Sequence, residues 1–380
     1  MRGSIRPIAR RHAGVAFVIV AAFAAYSAAP VTASTTPPDT AAESVDVQAE
    51  LDALLARPTE IAQDAPFEGE VPADQKIVWI QCSVPACIAL GGPLQEAIDA
   101  LGWDLVVISH DGTPEGVKDA WAQAVREEPD GVVSSGYPRQ MYEPEMQELA
   151  AAEVPIVLLT VTDPPGDGIT AVVNGPERNA EVGRQLAVFV AADSGGAANA
   201  VWVTSTFPIL VPELEGVEGV GGFAPTLESV CAECAFDTLE IPIDALGTQA
   251  PQRIVSYLQA NPDVEYVVGA FGDIVTALPG ALADAGLADR VKIATYSQNE
   301  TISAALEQGE IDAVIGFPGP ENMWQIADTL LRVITDQPYD EVMSDLPSWV
   351  ITGETVPSTT EFFPLVEDYQ AQYKALWGVA

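Results

Sequence analysis

Four cysteines form two closely spaced pairs. Cys82 and Cys87 stand in CSVPAC, just after an apolar run, and Cys231 and Cys234 form a CxxC sequence. Thiols at these spacings form local disulfides, exchange electrons with a partner or bind a metal ion. Because a four-cysteine zinc site needs both pairs in one place, the position of each pair in the fold decides among these chemistries.

Support for catalysis is weak. His110 is the one histidine beyond residue 33, so a serine or cysteine triad has a single candidate base. No GxxxxGK[ST] phosphate loop is present, and the glycine-rich GVEGVGG at 216–222 lies within a predicted helix rather than after a strand. We therefore expect neither enzyme activity nor a cofactor, with a secreted hydrolase as the weaker alternative.

The first residues have the order of an export signal. Basic residues at 2–12 precede an apolar run at 13–29, and small residues lead to Ala33. We predict a signal peptide at 1–33 and a flexible tether at 34–74, which begins with the polar, Pro/Thr/Ser-rich STTPPDTAAES. The chain is then expected in the cell envelope, the periplasm or on the extracellular face of the membrane, where disulfides persist.

The charge balance excludes one class of partner. The chain has 16 Lys and Arg against 55 Asp and Glu, a formal net charge of −39. A surface this negative repels nucleic acid and anionic lipid. We expect an acidic, well-solvated surface and no nucleic-acid partner.

Apolar strands and helices alternate with short links from Lys76 onward, and the same order restarts near residue 199. This pattern predicts an α/β fold with two doubly wound parallel-sheet lobes and a ligand cleft between them. The main predicted strands are 104–110, 131–135, 155–161, 199–206, 237–243, 264–271 and 290–297.

Three long segments resemble the type I periplasmic binding proteins, the sugar-family receptors of ABC importers. The most specific is NPDVEYVVGAFGD, followed by ALADAGL and KIATYS. The resemblance covers about residues 75–356 and is closest to an actinobacterial subgroup that carries cysteines. It implies a hinged pair of lobes that captures a small molecule, is a monomer, and delivers its ligand to ABC permease subunits. A ligand-sensing receptor component without transport is the alternative.

The resemblance also implies that the chain crosses between the lobes three times, near Asn174, Ser297 and Met343. The N-terminal lobe would comprise 75–174 and 298–343, and the C-terminal lobe 175–297 and 344–380.

Candidate ligand-binding residues follow from the rule that ligands bind beyond the carboxyl ends of parallel strands. They are Ser83, His110, Tyr137, Thr162, Asp163, Asn174, Phe207, Phe271, Asp273, Gln298 and Phe317. By resemblance, Asp273 matches a carboxylate that binds sugar hydroxyls and Asn174 a frequent cleft asparagine. The alternative for each is a helix-capping role.

Departures from the family pattern leave the ligand open. No arginine follows the fourth strand of the first lobe, where the sequence reads LLTVTDPP, and SVPAC replaces the aromatic pair that stacks on sugar. The phenylalanines could build a more apolar pocket or belong to the core. For the cysteines we favour a Cys82–Cys87 disulfide that stiffens a loop at the cleft edge and a structural Cys231–Cys234 turn on an outer surface. Zinc is disfavoured because the fold separates the pairs.

Overall fold

A computed structural model describes residues 46–82, 85–242, 245–360 and 362–380. The signal peptide predicted at 1–33, the first part of the predicted tether and Ser83 lie outside these ranges. Within them, no helix has the length and apolar character needed to cross a membrane.

Two six-stranded sheets form the two lobes, as the sequence predicted. The strand order is β11-β5-β4-β3-β1-β2 in the first and β12-β10-β9-β8-β6-β7 in the second, and every pairing is parallel except β10 with β12. The strands are β1 Lys76–Cys82, β2 Asp104–His110, β3 Gly131–Ser135, β4 Ile156–Leu159, β5 Ala171–Val173, β6 Asn199–Ser205, β7 Ala235–Ile241, β8 Tyr266–Gly269, β9 Lys292–Tyr296, β10 Ala313–Ile315, β11 Val342–Met343 and β12 Val350–Ile351.

Helices cover both faces of each sheet. They are α1 Val47–Leu55, α2 Pro85–Leu101, α3 Pro114–Arg126, α4 Glu143–Ala151, α5 Pro176–Asp193, α6 Leu210–Glu215, α7 Phe223–Val230, α8 Leu246–Ala260, α9 Gly272–Val275, α10 Leu278–Ala285, α11 Glu300–Glu307, α12 Gly319–Ile334 and α13 Tyr369–Trp377. The central strands carry apolar residues without alternation, which is the pattern of strands buried on both faces. Ile77 through Ile80 in β1 and Ala200 through Val203 in β6 are fully buried.

The second crossing lies later in the chain than predicted. Residues 298–343 were assigned to the N-terminal lobe, but α11 and β10 belong to the C-terminal lobe: β10 pairs with β9, and Ile302 and Leu306 are buried in the core of that lobe. The chain crosses back only after Ile315. The reason is local. α11 follows β9 directly and buries its apolar face in the same lobe, and β10 then pairs with β9.

The C-terminal segment divides between the lobes. β12 pairs with β10, but α13 packs on the N-terminal lobe, where the Trp377 ring stacks on that of Trp324 with 5.3 Å between ring centroids. The assignment of all of 344–380 to the C-terminal lobe is therefore wrong for α13. Three aromatic residues on one face of α13, Tyr369, Tyr373 and Trp377, are buried there.

Residues 46–74 are packed rather than free. Leu51 of α1 is buried in the core of the C-terminal lobe, whereas Ile61 and Phe67 are buried in the N-terminal lobe. The Phe67 amide donates to the Leu376 carbonyl at 2.9 Å. The predicted tether therefore does not extend through this part of the chain, because widely spaced apolar residues in a polar stretch find partners on both lobes.

Candidate ligand-binding site

Asn174 connects the segments that cross between the lobes. Its side-chain amide donates to Thr160 Oγ1 at 3.0 Å and accepts from Tyr296 Oη at 3.2 Å, and its backbone amide contacts the Met343 carbonyl at 3.4 Å. The residue is buried and has φ +54°, a left-handed conformation that asparagine tolerates better than most residues. The structure therefore gives Asn174 a role in the hinge.

Gln298 lies in the same region, and its side chain forms hydrogen bonds with backbone groups. Its Oε1 accepts from the Phe317 amide at 2.8 Å, and its Nε2 donates to the carbonyls of Phe317 and Phe363 at 3.1 and 3.4 Å. With the residue buried, these contacts use its amide oxygen and both amide hydrogens. Gln298 thus holds the crossing segment and the C-terminal segment together.

A cavity of about 440 Å³ opens beside this hinge, where the two lobes meet. Phe271, Ser297 and Phe317 follow the carboxyl ends of β8, β9 and β10, which are neighbours in one sheet, and Ala89 comes from α2 of the other lobe. This is the position at which open parallel sheets bind ligands. The lining residues are Ala89, Phe271, Gly272, Asp273, Ser297, Gln298, Asn299, Glu300, Phe317 and Phe362.

Aromatic rings form one wall of the cavity. The ring centroids of Phe317 and Phe362 are 6.3 Å apart, and Tyr296 meets Phe317 edge-on at 6.0 Å from the side of the core. Phe207, 39% exposed, meets Phe271 edge-on at 6.1 Å. These contacts make the wall apolar and keep the rings in place.

Carboxylates form the polar side. Asp273 is the second residue of α9, which Phe271 caps, so Asp273 is not the helix cap that the sequence left as an alternative. Asp273 is exposed at its surface, but desolvation still raises its pKa, and its carboxylate accepts from Asn299 Nδ2 at 3.4 Å. Glu300 opens α11 and is exposed. Glycine is required at 272, because a Cβ there would lie 2.6 Å from the Ser297 carbonyl oxygen.

His110 and Tyr137 lie together but away from this cavity. The His110 ring is buried and meets Tyr137 edge-on, with 5.0 Å between ring centroids. Its Nδ1 accepts a hydrogen bond from the Gly112 amide nitrogen at 3.1 Å. Burial lowers the pKa of His110, although the neighbouring Asp111 opposes this. His110 faces a separate groove along β2 and α3.

Asp163 braces a loop. It accepts the Arg139 amide at 3.0 Å and pairs with the Arg139 guanidinium at 3.4 Å, which holds the segment after β3. Thr162 is exposed beside it. Of the predicted residues, the structure brings Phe271, Asp273, Gln298 and Phe317 to the cavity, with Phe207 in contact with Phe271.

Both cysteine pairs are joined as disulfides. Cys82 ends β1 and Cys87 lies in the first turn of α2, two residues before Ala89 of the cavity wall, so this bond restrains the cleft edge. Cys231 and Cys234 lie between α7 and the amino end of β7. In the sheet of the C-terminal lobe this end is opposite to the carboxyl ends of the strands that face the cavity. A larger cavity of about 600 Å³ near the amino ends of β8 and β9 has mainly carboxylates among its charged lining residues, one of which, Asp193, pairs with Lys292 Nζ at 2.6 Å.

The chain matches known proteins at the level of the family and the fold. Residues 87–338 match the model described as periplasmic binding protein domain. The chain belongs to this family. No curated protein sequence matches the chain.

The fold of this chain matches solved structures over nearly the whole length of those structures. GanP, a glucose-galactose binding protein from Geobacillus stearothermophilus, is 17% identical with a TM-score of 0.64 over 75% of this chain and 99% of its own. A periplasmic solute binding protein of an ABC transporter from Actinobacillus succinogenes, with bound D-allose, is 18% identical with a TM-score of 0.62 over 74% and 99%. A sugar-binding protein from Bacillus halodurans is 14% identical with a TM-score of 0.65 over 74% and 99%. At these identities the similarity is one of fold.

Sequence reasoning did not select several lining residues as ligand-binding candidates. Ser297 adjoins the selected Gln298 and Glu300 lies two residues beyond it, so the strand-end rule could have included both. Ala89 and Phe362 carry no local signal, since one lies in a helix of the other lobe and the other arrives from the C-terminal segment.

Proposed function

We propose that the protein is an exported solute-binding protein that captures a small molecule between its lobes and delivers it to an ABC importer. The observation that carries this proposal is the cavity at the junction of two hinged lobes, lined from both of them. Its volume lies within the range of small-molecule sites. Family membership and the sugar ligands named for proteins of the same fold support it.

The same proposal covers partners and location. The protein would act as a monomer outside the cytoplasm, after removal of residues 1–33, and would dock on permease subunits. It would bind its ligand without turning it over. In support, His110 uses Nδ1 to accept a backbone amide and lies outside the cavity, so it is badly placed as a general base there.

A ligand screen with a structural readout tests this function. Thermal shift of the chain from residue 34 against sugars, polyols, nucleosides and small aromatic compounds should give at least one ligand that raises the melting temperature. Small-angle scattering should show a smaller radius of gyration with that ligand, because the lobes close on it. A ligand that binds without compaction, or no ligand at all, would count against the proposal.

Uptake measurements in cells distinguish a role in transport from a role in sensing. Deletion of the gene should abolish uptake of the labelled ligand, and an intact copy should restore it. Normal uptake in the deletion strain, with loss of a transcriptional response to the ligand, would indicate a sensor instead.

A further inference from the structure

Ser297 supplies the one hydroxyl among the described lining residues, and the two amide side chains of the lining are already engaged. The amide of Gln298 is used by the backbone of Phe317 and Phe363. Asn299 Oδ1 caps α11 by accepting the Ile302 amide at 2.9 Å, and its Nδ2 is directed at Asp273. The two amide side chains that line the cavity therefore have little capacity left to donate to a ligand.

What the cavity retains is negative charge. Asp273 and Glu300 both line it, and neither forms an ion pair with a cationic side chain among the described residues. The described lining contains no lysine, arginine or histidine. Asp273 is exposed at its surface, and desolvation by the surrounding protein raises its pKa.

Aromatic faces complete the arrangement. Phe271, Phe317 and Phe362 line the same cavity as the two carboxylates. The negative face of an aromatic ring attracts a cation, and a desolvated contact of this kind contributes more than an exposed one. Carboxylates beside aromatic rings suit an ammonium group attached to an apolar or ring-shaped body.

From this inventory we infer that the cavity takes a ligand that carries a cationic amine or ammonium group. The inference rests on the proposed function, since it names the ligand class of the same site. An anionic ligand would be repelled by both carboxylates. A neutral sugar can donate its hydroxyls to the carboxylates, but its hydroxyl oxygens would find few side-chain donors in this lining, which an ammonium group does not need. A formal net charge of −39 also draws cations toward the protein.

Matched pairs of probes test the inference. Isothermal titration would compare glucosamine with glucose, and phenethylamine with 2-phenylethanol, so that each pair differs mainly by an ammonium in place of a hydroxyl. We expect at least one amine to bind about tenfold tighter than its neutral partner, because a charge-assisted bond is stronger than a neutral one. Asp273→Asn and Glu300→Gln should remove that preference. Asp284→Asn, an exposed carboxylate of α10 outside the cavity, should leave it unchanged.

The results of these titrations distinguish failure of the inference from failure of the proposed function. Neutral probes that bind as tightly as their amines, or a preference that survives both cavity substitutions, would overturn the inference and leave a solute-binding protein. The same holds if none of the four probes binds but a neutral sugar from the wider screen does. If no compound of either set binds the folded protein, the inference and the proposed function both fail.

Discussion

Glu321, in the first turn of α12, is a carboxyl group almost fully enclosed by protein. Its Oε1 accepts the Val366 amide at 2.7 Å, whereas Oε2 has no hydrogen-bond partner within the described residues. Burial raises the pKa of Glu321 from 4.5 to about 7, and the Val366 amide opposes part of that shift. The group holds the C-terminal segment beside the hinge and stays protonated in the folded state well above the pH at which it ionises in the unfolded chain.

This difference makes stability depend on pH. Below pH 4.5 Glu321 is protonated in both states, but between 4.5 and 7 the unfolded state loses its proton first, so the free energy of unfolding falls as the pH rises. Glu321→Gln keeps the acceptor and cannot ionise. Urea unfolding should show the variant equal to wild type near pH 4 and more stable by about 3 kcal/mol at pH 8.

An exposed glutamate provides the control for Glu321. Glu307→Gln, at the end of α11, should follow the wild-type curve of unfolding free energy against pH. If the Glu321→Gln and wild-type curves run parallel from pH 4 to pH 8, the folded protein does not hold this carboxyl in its protonated form.

At the scale of elements, α12 connects both ends of the described chain to the N-terminal lobe. Asp328, fully buried, accepts from Trp377 Nε1 at 2.9 Å, from Gln63 Nε2 at 3.2 Å and from its ion-pair partner Arg332 at 2.7 Å. Arg332 also donates to the Ala65 carbonyl at 2.6 Å. A buried ion pair is tolerated when such further hydrogen bonds satisfy both charges.

Trp377→Ala should release α13 from this network. It removes a stacked indole and a hydrogen bond to a buried carboxylate, for which we expect a loss of about 3–5 kcal/mol in the free energy of unfolding. Hydrogen exchange should accelerate in 369–377 and also in 61–67, because both segments contact α12. Ala375→Ser on the exposed face of α13 should change neither. Unchanged exchange in 61–67 would mean that the two segments are held independently.

At the scale of the whole molecule, the hinge is a hydrogen-bonded junction of segments from both lobes. Asn174 contacts Thr160, Tyr296 and Met343, and Thr160 and Ser297 beside it also have positive φ of 54° and 70°. Such backbone is unusual for residues other than glycine and tends to occur at functional sites. The relative position of the lobes therefore depends on a few side chains.

Asn174→Gly should loosen the lobes without forbidding the backbone conformation. The substitution removes the oxygen that accepts the proton of the buried Tyr296 hydroxyl, at a cost of about 1–3 kcal/mol in the free energy of unfolding. Small-angle scattering of the ligand-free protein should show a larger radius of gyration. Asp336→Gly offers a matched control, since Asp336 has the same φ of 54° but is exposed and away from the hinge. Equal effects of the two substitutions would assign the change to backbone flexibility alone.

The sequence by itself determined the architecture. Apolar strands such as IVWI, with helical repeats between them, require parallel sheets covered on both faces, and strand ends then indicate where a ligand binds. That reasoning led to Phe271, Asp273 and Phe317. It also correctly proposed local disulfides, because cysteines this close in sequence can pair whatever the rest of the chain does.

Tertiary structure alone decided which polar groups remain free. Asn174, Asp163 and Gln298 have the right chemistry to bind a ligand, but each is engaged by a partner distant in sequence or across a turn. It also decided that β10 joins the C-terminal lobe, that α13 returns to the N-terminal lobe, and that Phe362 lines the cavity. Sequence patterns report the local preference of a segment, whereas these outcomes depend on which distant surfaces the segment buries.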